Sequence, residues 1–208
     1  MAITNQKSAI DVMEERHSVR KYKQYEMPQA DLDAILQATI TAPSSWNLQH
    51  WKFLVVQSET QKQKLLPIGY NQQQIVDSSV TIAILGDLEA NLNAEKVYGE
   101  VVNKGFMPPA VKDTLIGQIN AAYTSNQLAR DEAVMNSSLA AMQLMLAAKD
   151  KDYDSVPMGG FDRSAFIKEF NVPKRYIPVM LISIGKAAVE AHGTLRLPLD
   201  EVVTYETF

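Results

Sequence analysis

Three short polar windows carry the residue types that could do chemistry. The first is Arg16, His17, Ser18 and Arg20, all within one turn-sized stretch. Two guanidiniums offer paired, charge-assisted donors to an anionic oxygen group, and Ser18 adds a neutral donor, which is what a phosphate needs. The same residues also suit a solvated helix end, where cations favour the C-terminal dipole. The second window runs from Ala42 to Trp51 (APSSWNLQHW) and holds Pro43, Ser44, Ser45 and Asn47. Its hydroxyls and carboxamides can bind a polar ligand edge while a tryptophan covers an apolar face. The alternative is a turn and helix cap with Trp51 in the core. The third is Val156 to Asp162 (VPMGGFD), where Pro157 and Met158 precede Gly159 and Gly160. Adjacent glycines let a flat ligand approach the backbone closely and expose N–H donors. A plain turn before a capped helix is the simpler reading of it.

Other chemistry is excluded by composition and pattern. The chain has 208 residues, 46% hydrophobic and 21% charged, and no cysteine. That removes a disulfide scaffold, thiolate metal and iron–sulfur sites, and a cysteine nucleophile. His17, His50 and His192 lack metal-ligand spacing, so no metal is expected. Lys and Arg number 20 against 24 Asp and Glu, a net charge of -4. A general nucleic-acid binder would show a basic excess. There is no dinucleotide glycine fingerprint, P-loop or nucleophile elbow. Asn136-Ser137-Ser138 matches a glycosylation sequon, but the polar N-terminus is no signal peptide. No apolar run approaches about 18 residues, so no membrane span is expected. A cytoplasmic protein with one domain, residues 1–208, is the expectation.

The elements that must position the windows follow from periodicity and breakers. Ser8–Arg16 reads as a short helix. Leu32, Ile35, Leu36, Thr39 and Ile40 repeat at helical spacing after Pro28 and stop near Ala42–Pro43. Lys52–Gln57, Val80–Asp87 and Ile177–Gly185 read as strands without strict alternation, as in a sheet covered on both faces. Short helices fill Glu59–Leu66 and Gln73–Asp77. A long helical stretch spans Val111–Lys149 with a break near Thr124–Ser125, and its Ala- and Met-rich half suits a centre or a subunit interface. Asp162 caps a helix over Arg163–Phe170. Asp150–Gly160 reads as a loop, Asn91–Pro109 as a polar insertion, and the tail from Ala187 as extended, ending in a strand-like VVTYETF. The class is α+β, a central sheet with helices on both faces.

In this order and spacing, ERHSVRKY, TAPSSWNLQHW, YNQQQIVDSS, VPMGGFD and TLRLPLDEVV resemble the FMN-dependent nitroreductase family over nearly the whole chain. The resemblance implies a mainly antiparallel sheet flanked by helices, in an intertwined homodimer with FMN at the interface. By that match Arg16 and Ser18 hold the phosphate and ribityl end, with His17 in the same motif and Arg20 reaching toward the ring. Pro43, Ser44, Ser45 and Asn47 match the segment contributed by the partner subunit. Asn71 matches a residue bonding the pyrimidine edge, with Gln74 beside it. Pro157, Met158, Gly159 and Gly160 match the loop along the flavin, and Arg196 a tail arginine on the phosphate.

The implied activity is transfer of electrons from NADH or NADPH through flavin N5 to an electron-poor acceptor, by a ping-pong scheme with no side-chain nucleophile. Alternatives on the same fold are a flavin oxidase, dehalogenase or flavin-fragmenting enzyme, or a non-catalytic flavin-binding protein. The chain departs from the family at Thr194, where many relatives have lysine. It also departs at Gly159, His50 and Gln74, where some have an acidic residue, proline and lysine.

Overall fold

A computed structural model describes residues 7–208. Helix α1 (Ala9–Glu15) starts at a capping box: the Asp11 N–H donates to Ser8 Oγ and the Ser8 N–H to the Asp11 carboxylate. Helix α2 (Gln29–Thr39) follows Pro28, and strand β1 is Trp51–Val56. Helix α3 (Glu59–Ile68), capped by Ser58, and the single turn α4 (Gln74–Asp77) lead to β2 (Val80–Asp87). Next come α5 (Ala94–Asn103), α6 (Pro109–Ala122) and α7 (Asn126–Asp150). The break between α6 and α7 falls where expected, because the Ser125 hydroxyl accepts from Leu128 N–H and restarts the helix. Strand β3 (Asp154–Met158), α8 (Arg163–Glu169), β4 (Tyr176–Gly185) and the turn α9 (Leu199–Val202) complete the order. Asp162 caps α8 through the Ala165 N–H at 2.9 Å.

The four strands form one antiparallel sheet in the order β1-β2-β4-β3. Side chains alternate across it. Ala83 and Leu85 of β2 pack toward α3 and α8 with Leu65, Phe166 and Leu181. Ile82 and Ile84 pack toward α2 and α7 with Leu32, Ile35 and Leu144. Both faces are covered, so every residue of β2 is buried and the strand shows no polar alternation. At Gly86 the backbone of α7 lies against the strand. A Cβ there would stand 2.8 Å from the Ala133 carbonyl oxygen and 3.1 Å from its Cβ.

Three sequence expectations need correction. The segment before Gly159 is strand β3, not loop. Its Pro157 is tolerated because β3 is a terminal strand of the sheet. The polar stretch from Asn91 contains helix α5, which turns Ala94 and Tyr98 onto a small separate core with Leu48 and Ile119. The end of the tail, 203–208, is not a strand: it joins no ladder among the described residues, and a single helical turn precedes it.

Candidate functional site

The first and third windows meet at the outer edge of β3. Arg16 caps α1, and the chain then runs beside β3 as a parallel bridge, Ser18 against Ser155. The Val19 N–H donates to the Ser155 carbonyl at 3.1 Å. Val19 and Tyr22 sink into the core below and fix the segment. The Tyr22 hydroxyl donates to the Ser183 carbonyl at 3.1 Å, and burial pushes its phenol pKa up. The backbone thus holds Arg16, His17 and Ser18 half-buried and Arg20 exposed. Among the described residues no carboxylate lies within salt-bridge distance of Arg16 or Arg20.

The turn between α3 and α4 comes to the same loop. Tyr70 and Asn71 take left-handed φ of 55° and 56°, so the chain reverses and the exposed Asn71 stands at the turn. Gln72 donates to the Gly160 carbonyl at 2.9 Å, and Gln74 contacts Met158 Sδ at 3.4 Å. The Asp162 N–H donates to the Ile68 carbonyl. Arg163 braces the loop from behind, donating to the carbonyls of Gly159 and Pro178 at 3.2 and 3.1 Å. A Cβ at Gly159 or Gly160 would meet nothing within 4 Å, and neither has a left-handed φ. Their value here is an open face that a planar ligand can approach. Unpaired guanidiniums, a turn amide and this bare backbone make a donor set suited to a flavin phosphate and ring, so FMN fits the residues present.

The second window stands apart, and no hydrogen bond among the described residues joins it to the other two. The Ser45 N–H donates to Asn136 Oδ1 of α7 at 2.8 Å, and the Gln49 N–H to Ser44 Oγ at 3.0 Å. The Tyr98 hydroxyl and the Asn93 amide of the α5 region donate to the carbonyls of Trp46 and Leu48. Trp46, Asn47 and Gln49 all have positive φ, near 51–55°. A bulky side chain is uncommon there, and such strain persists only when surroundings over-determine it. Pro43 and Asn47 are exposed, while Trp51 belongs to the core as the simpler reading had it. His50 is fully buried, with Nε2 2.7 Å from the Tyr123 hydroxyl and Nδ1 without a partner among the described residues. Desolvation lowers its pKa against the pull of Glu132 and Asp87. Arg196 lies in the exposed tail, and among the described residues it donates only to the carbonyl of Leu195.

Sequence reading missed the supports. Gln72, Arg163 and Asn136 hold the windows in place, yet each is a common polar residue whose partner is far along the chain. The same is true of the buried ion pair at the end of β2. Arg175 grips Asp87 through two bonds of 2.7 and 2.6 Å and donates to Asn93 at 3.0 Å. An open groove of about 1170 Å³ lies elsewhere, lined by Tyr25, Glu59, Lys62 and Asp77 among others. Lys62 is buried there on the Ser78 carbonyl, and burial lowers its pKa.

The nitroreductase family model matches residues 13–186, and the chain belongs to that family. A Bacillus subtilis protein named "Putative NAD(P)H nitroreductase YodC" is 51% identical over 199 residues, covering 95% of this chain and 98% of its own. A solved structure from Exiguobacterium sibiricum 255-15, described as "a putative nitroreductase in complex with FMN", superposes with a TM-score of 0.90. It is 35% identical and covers 96% of this chain and 98% of that one. The "CLA biosynthesis enone reductase" of Lactiplantibacillus plantarum is 32% identical, covering 89% of this chain and 88% of its own.

Proposed function

We propose that the chain is an FMN-dependent oxidoreductase that takes electrons from NADH or NADPH and passes them to an electron-poor acceptor by a ping-pong scheme. The observation that carries this is that Arg16–Arg20 runs beside the outer edge of β3 while the Asn71–Gln74 turn joins Met158–Gly160 at the strand's far end. When bound, FMN supplies the redox chemistry, accepting hydride at N5 and releasing two electrons to the acceptor. Arg16 and Ser18 bind the phosphate end, helped by Arg196, and His17 belongs to the same grip. Arg20 brings positive charge toward the ring. Pro157 and Met158 carry the chain past the ring, and Gly159 and Gly160 leave its reacting edge accessible. No side chain of this site is needed as a nucleophile.

The reading includes a homodimer. Met135, Leu139 and Met142 of α7 form an exposed apolar stripe at helical spacing, 51%, 45% and 40% accessible. Leu195, Leu197 and Tyr205 of the tail are exposed as well. A second copy would cover both. It would also bring Pro43, Ser44, Ser45 and Asn47 to the flavin of its neighbour, which explains why that window is rigid yet remote from the others. The acceptor class is a nitroaromatic, quinone or similar conjugated compound, and the enone reductase among the relatives supports a conjugated carbonyl. No helix among the described residues is long and apolar enough to cross a membrane. A soluble nicotinamide donor suits the cytoplasm. The test is an anaerobic absorbance spectrum of the flavin-loaded protein with each nicotinamide. Prompt bleaching of the flavin band is the expected result. A band that persists refutes the reductase, and protein that refuses added FMN refutes the site.

A further inference from the structure

The second window owes its shape to contacts from outside it. Trp46, Asn47 and Gln49 take left-handed φ of 51°, 54° and 55°, angles that such residues keep only where neighbours over-determine them. Two of those neighbours are polar side chains of the α5 region. The Tyr98 hydroxyl donates to the Trp46 carbonyl at 3.0 Å and the Asn93 amide to the Leu48 carbonyl at 2.8 Å. The Asn93 oxygen accepts from Arg175 at 3.0 Å, and Arg175 is itself held by both oxygens of Asp87. A guanidinium can only donate and a carbonyl can only accept. Whatever stands between Arg175 and Leu48 must therefore accept on one side and donate on the other. A side-chain amide does both, a carboxylate cannot donate, and an alkyl group does neither.

We propose that Asn93 is a positioning residue that carries the fixed orientation of the Asp87–Arg175 pair into the turn Trp46–Gln49. It thereby sets the face that Ser44, Ser45 and Asn47 offer to the flavin of a neighbouring copy. This rests on the FMN and homodimer reading above. Asn47 is exposed and lies in the chain between the two clamped carbonyls, so its direction follows theirs. The Asn93 amide cannot flip, because its nitrogen would then face the guanidinium and its oxygen the Leu48 carbonyl.

The test follows the turn and the flavin separately. Trp46 and Trp51 are the two tryptophans of the chain, and Trp51 lies in the core. Acrylamide quenching of the full chain before FMN is added therefore reports chiefly on Trp46. Asn93→Asp at pH 8 keeps an acceptor for Arg175 but sets an ionised oxygen against the Leu48 carbonyl. Tyr98→Phe removes the bond to Trp46 and leaves the ion pair alone. Quenching should rise in both variants. FMN should bind Asn93→Asp about tenfold more weakly, the worth of one buried hydrogen bond. Asn93→Leu also strips Arg175 of an acceptor, so it should match Asn93→Asp in flavin affinity while unfolding at lower urea. Affinity that tracks the urea midpoint instead, falling in Asn93→Leu but not in Asn93→Asp, overturns the proposal. So does unchanged quenching in Asn93→Asp. Greater quenching with unaltered FMN binding overturns it as well, by separating the turn from the flavin. A wild type that binds no FMN refutes the reading beneath, and the quenching arm then still decides whether Asn93 holds the turn.

Discussion

Replacing Arg175 by methionine should damage the molecule far more than an ordinary surface change. The Asp87 side chain is 3% exposed, and its two oxygens accept from Arg175 at 2.7 and 2.6 Å. The hydrogen bond to Asp87 is the main reason the Arg175 pKa is raised. With the guanidinium gone, the carboxylate keeps one bond, from the Glu89 N–H at 3.0 Å. Breaking a buried pair by removing one partner costs about 3–5 kcal/mol. The retained bond and the partly exposed Arg175 argue for the lower end, about 3 kcal/mol, against a typical stability of about 5–15 kcal/mol. With a urea dependence of about 2–3 kcal/mol per molar, the midpoint should fall by about 1 M. Protein concentration must be fixed, because a dimer's midpoint depends on it. Adding Asp87→Asn to Arg175→Met should recover most of the loss, since the buried charge is then removed. A midpoint within about 0.3 M of wild type for Arg175→Met would refute the reasoning, being far below the cost of an unpaired buried charge. A double variant as weak as the single would refute it too.

Other predictions follow from features of similar definition. Gly86→Ala should destabilise by about 1–3 kcal/mol, because its Cβ meets the α7 backbone at Ala133, which cannot rotate aside; thermal unfolding should drop by several degrees. Arg16→Ala should weaken FMN binding roughly 10- to 100-fold, the worth of a charge-assisted bond, and flatten its salt dependence; unchanged titration would remove Arg16 from the phosphate site. Leu139→Arg on α7 should give monomers by light scattering and lose flavin with them. His50 has a lowered pKa in the fold, so the unfolded chain binds the proton more readily. Stability should therefore fall as pH drops below about 6.5, toward the folded value. His50→Gln should remove that part of the pH dependence.

What was legible in the sequence was what local chemistry decides. Val80–Asp87 announced itself because a strand buried on both faces is dense in aliphatic residues and shows no polar alternation. Asp162 announced a helix start because a carboxylate there satisfies a free N–H, and Thr124–Ser125 marked the break that Ser125 proves to cap. β3 was hidden because Asp154–Met158 is short and contains a proline, and only its pairing with β4 makes it a strand. α5 was hidden because two buried residues, Ala94 and Tyr98, carry its packing within a polar segment. The tail misled for the opposite reason: β-branched residues favour a strand only where a partner strand is available. Arg16–Arg20 and Met158–Gly160 could be picked out by residue type, but their meeting could not. Besides a second bridge from Tyr22 to Ala187, it depends on the bridge between Ser18 and Ser155, which leaves no local signal.

That bridge also sets an order of events. Its two residues come from early and late in the chain, and loop-closure entropy opposes joining them until the intervening sheet has formed. The cradle at β3 therefore cannot exist on a nascent chain that has not yet emerged past Gly160. Cofactor loading must wait for β3 and its partner β4, and a chain cut short within α7 would carry Arg16 and Arg20 without the strand that orients them.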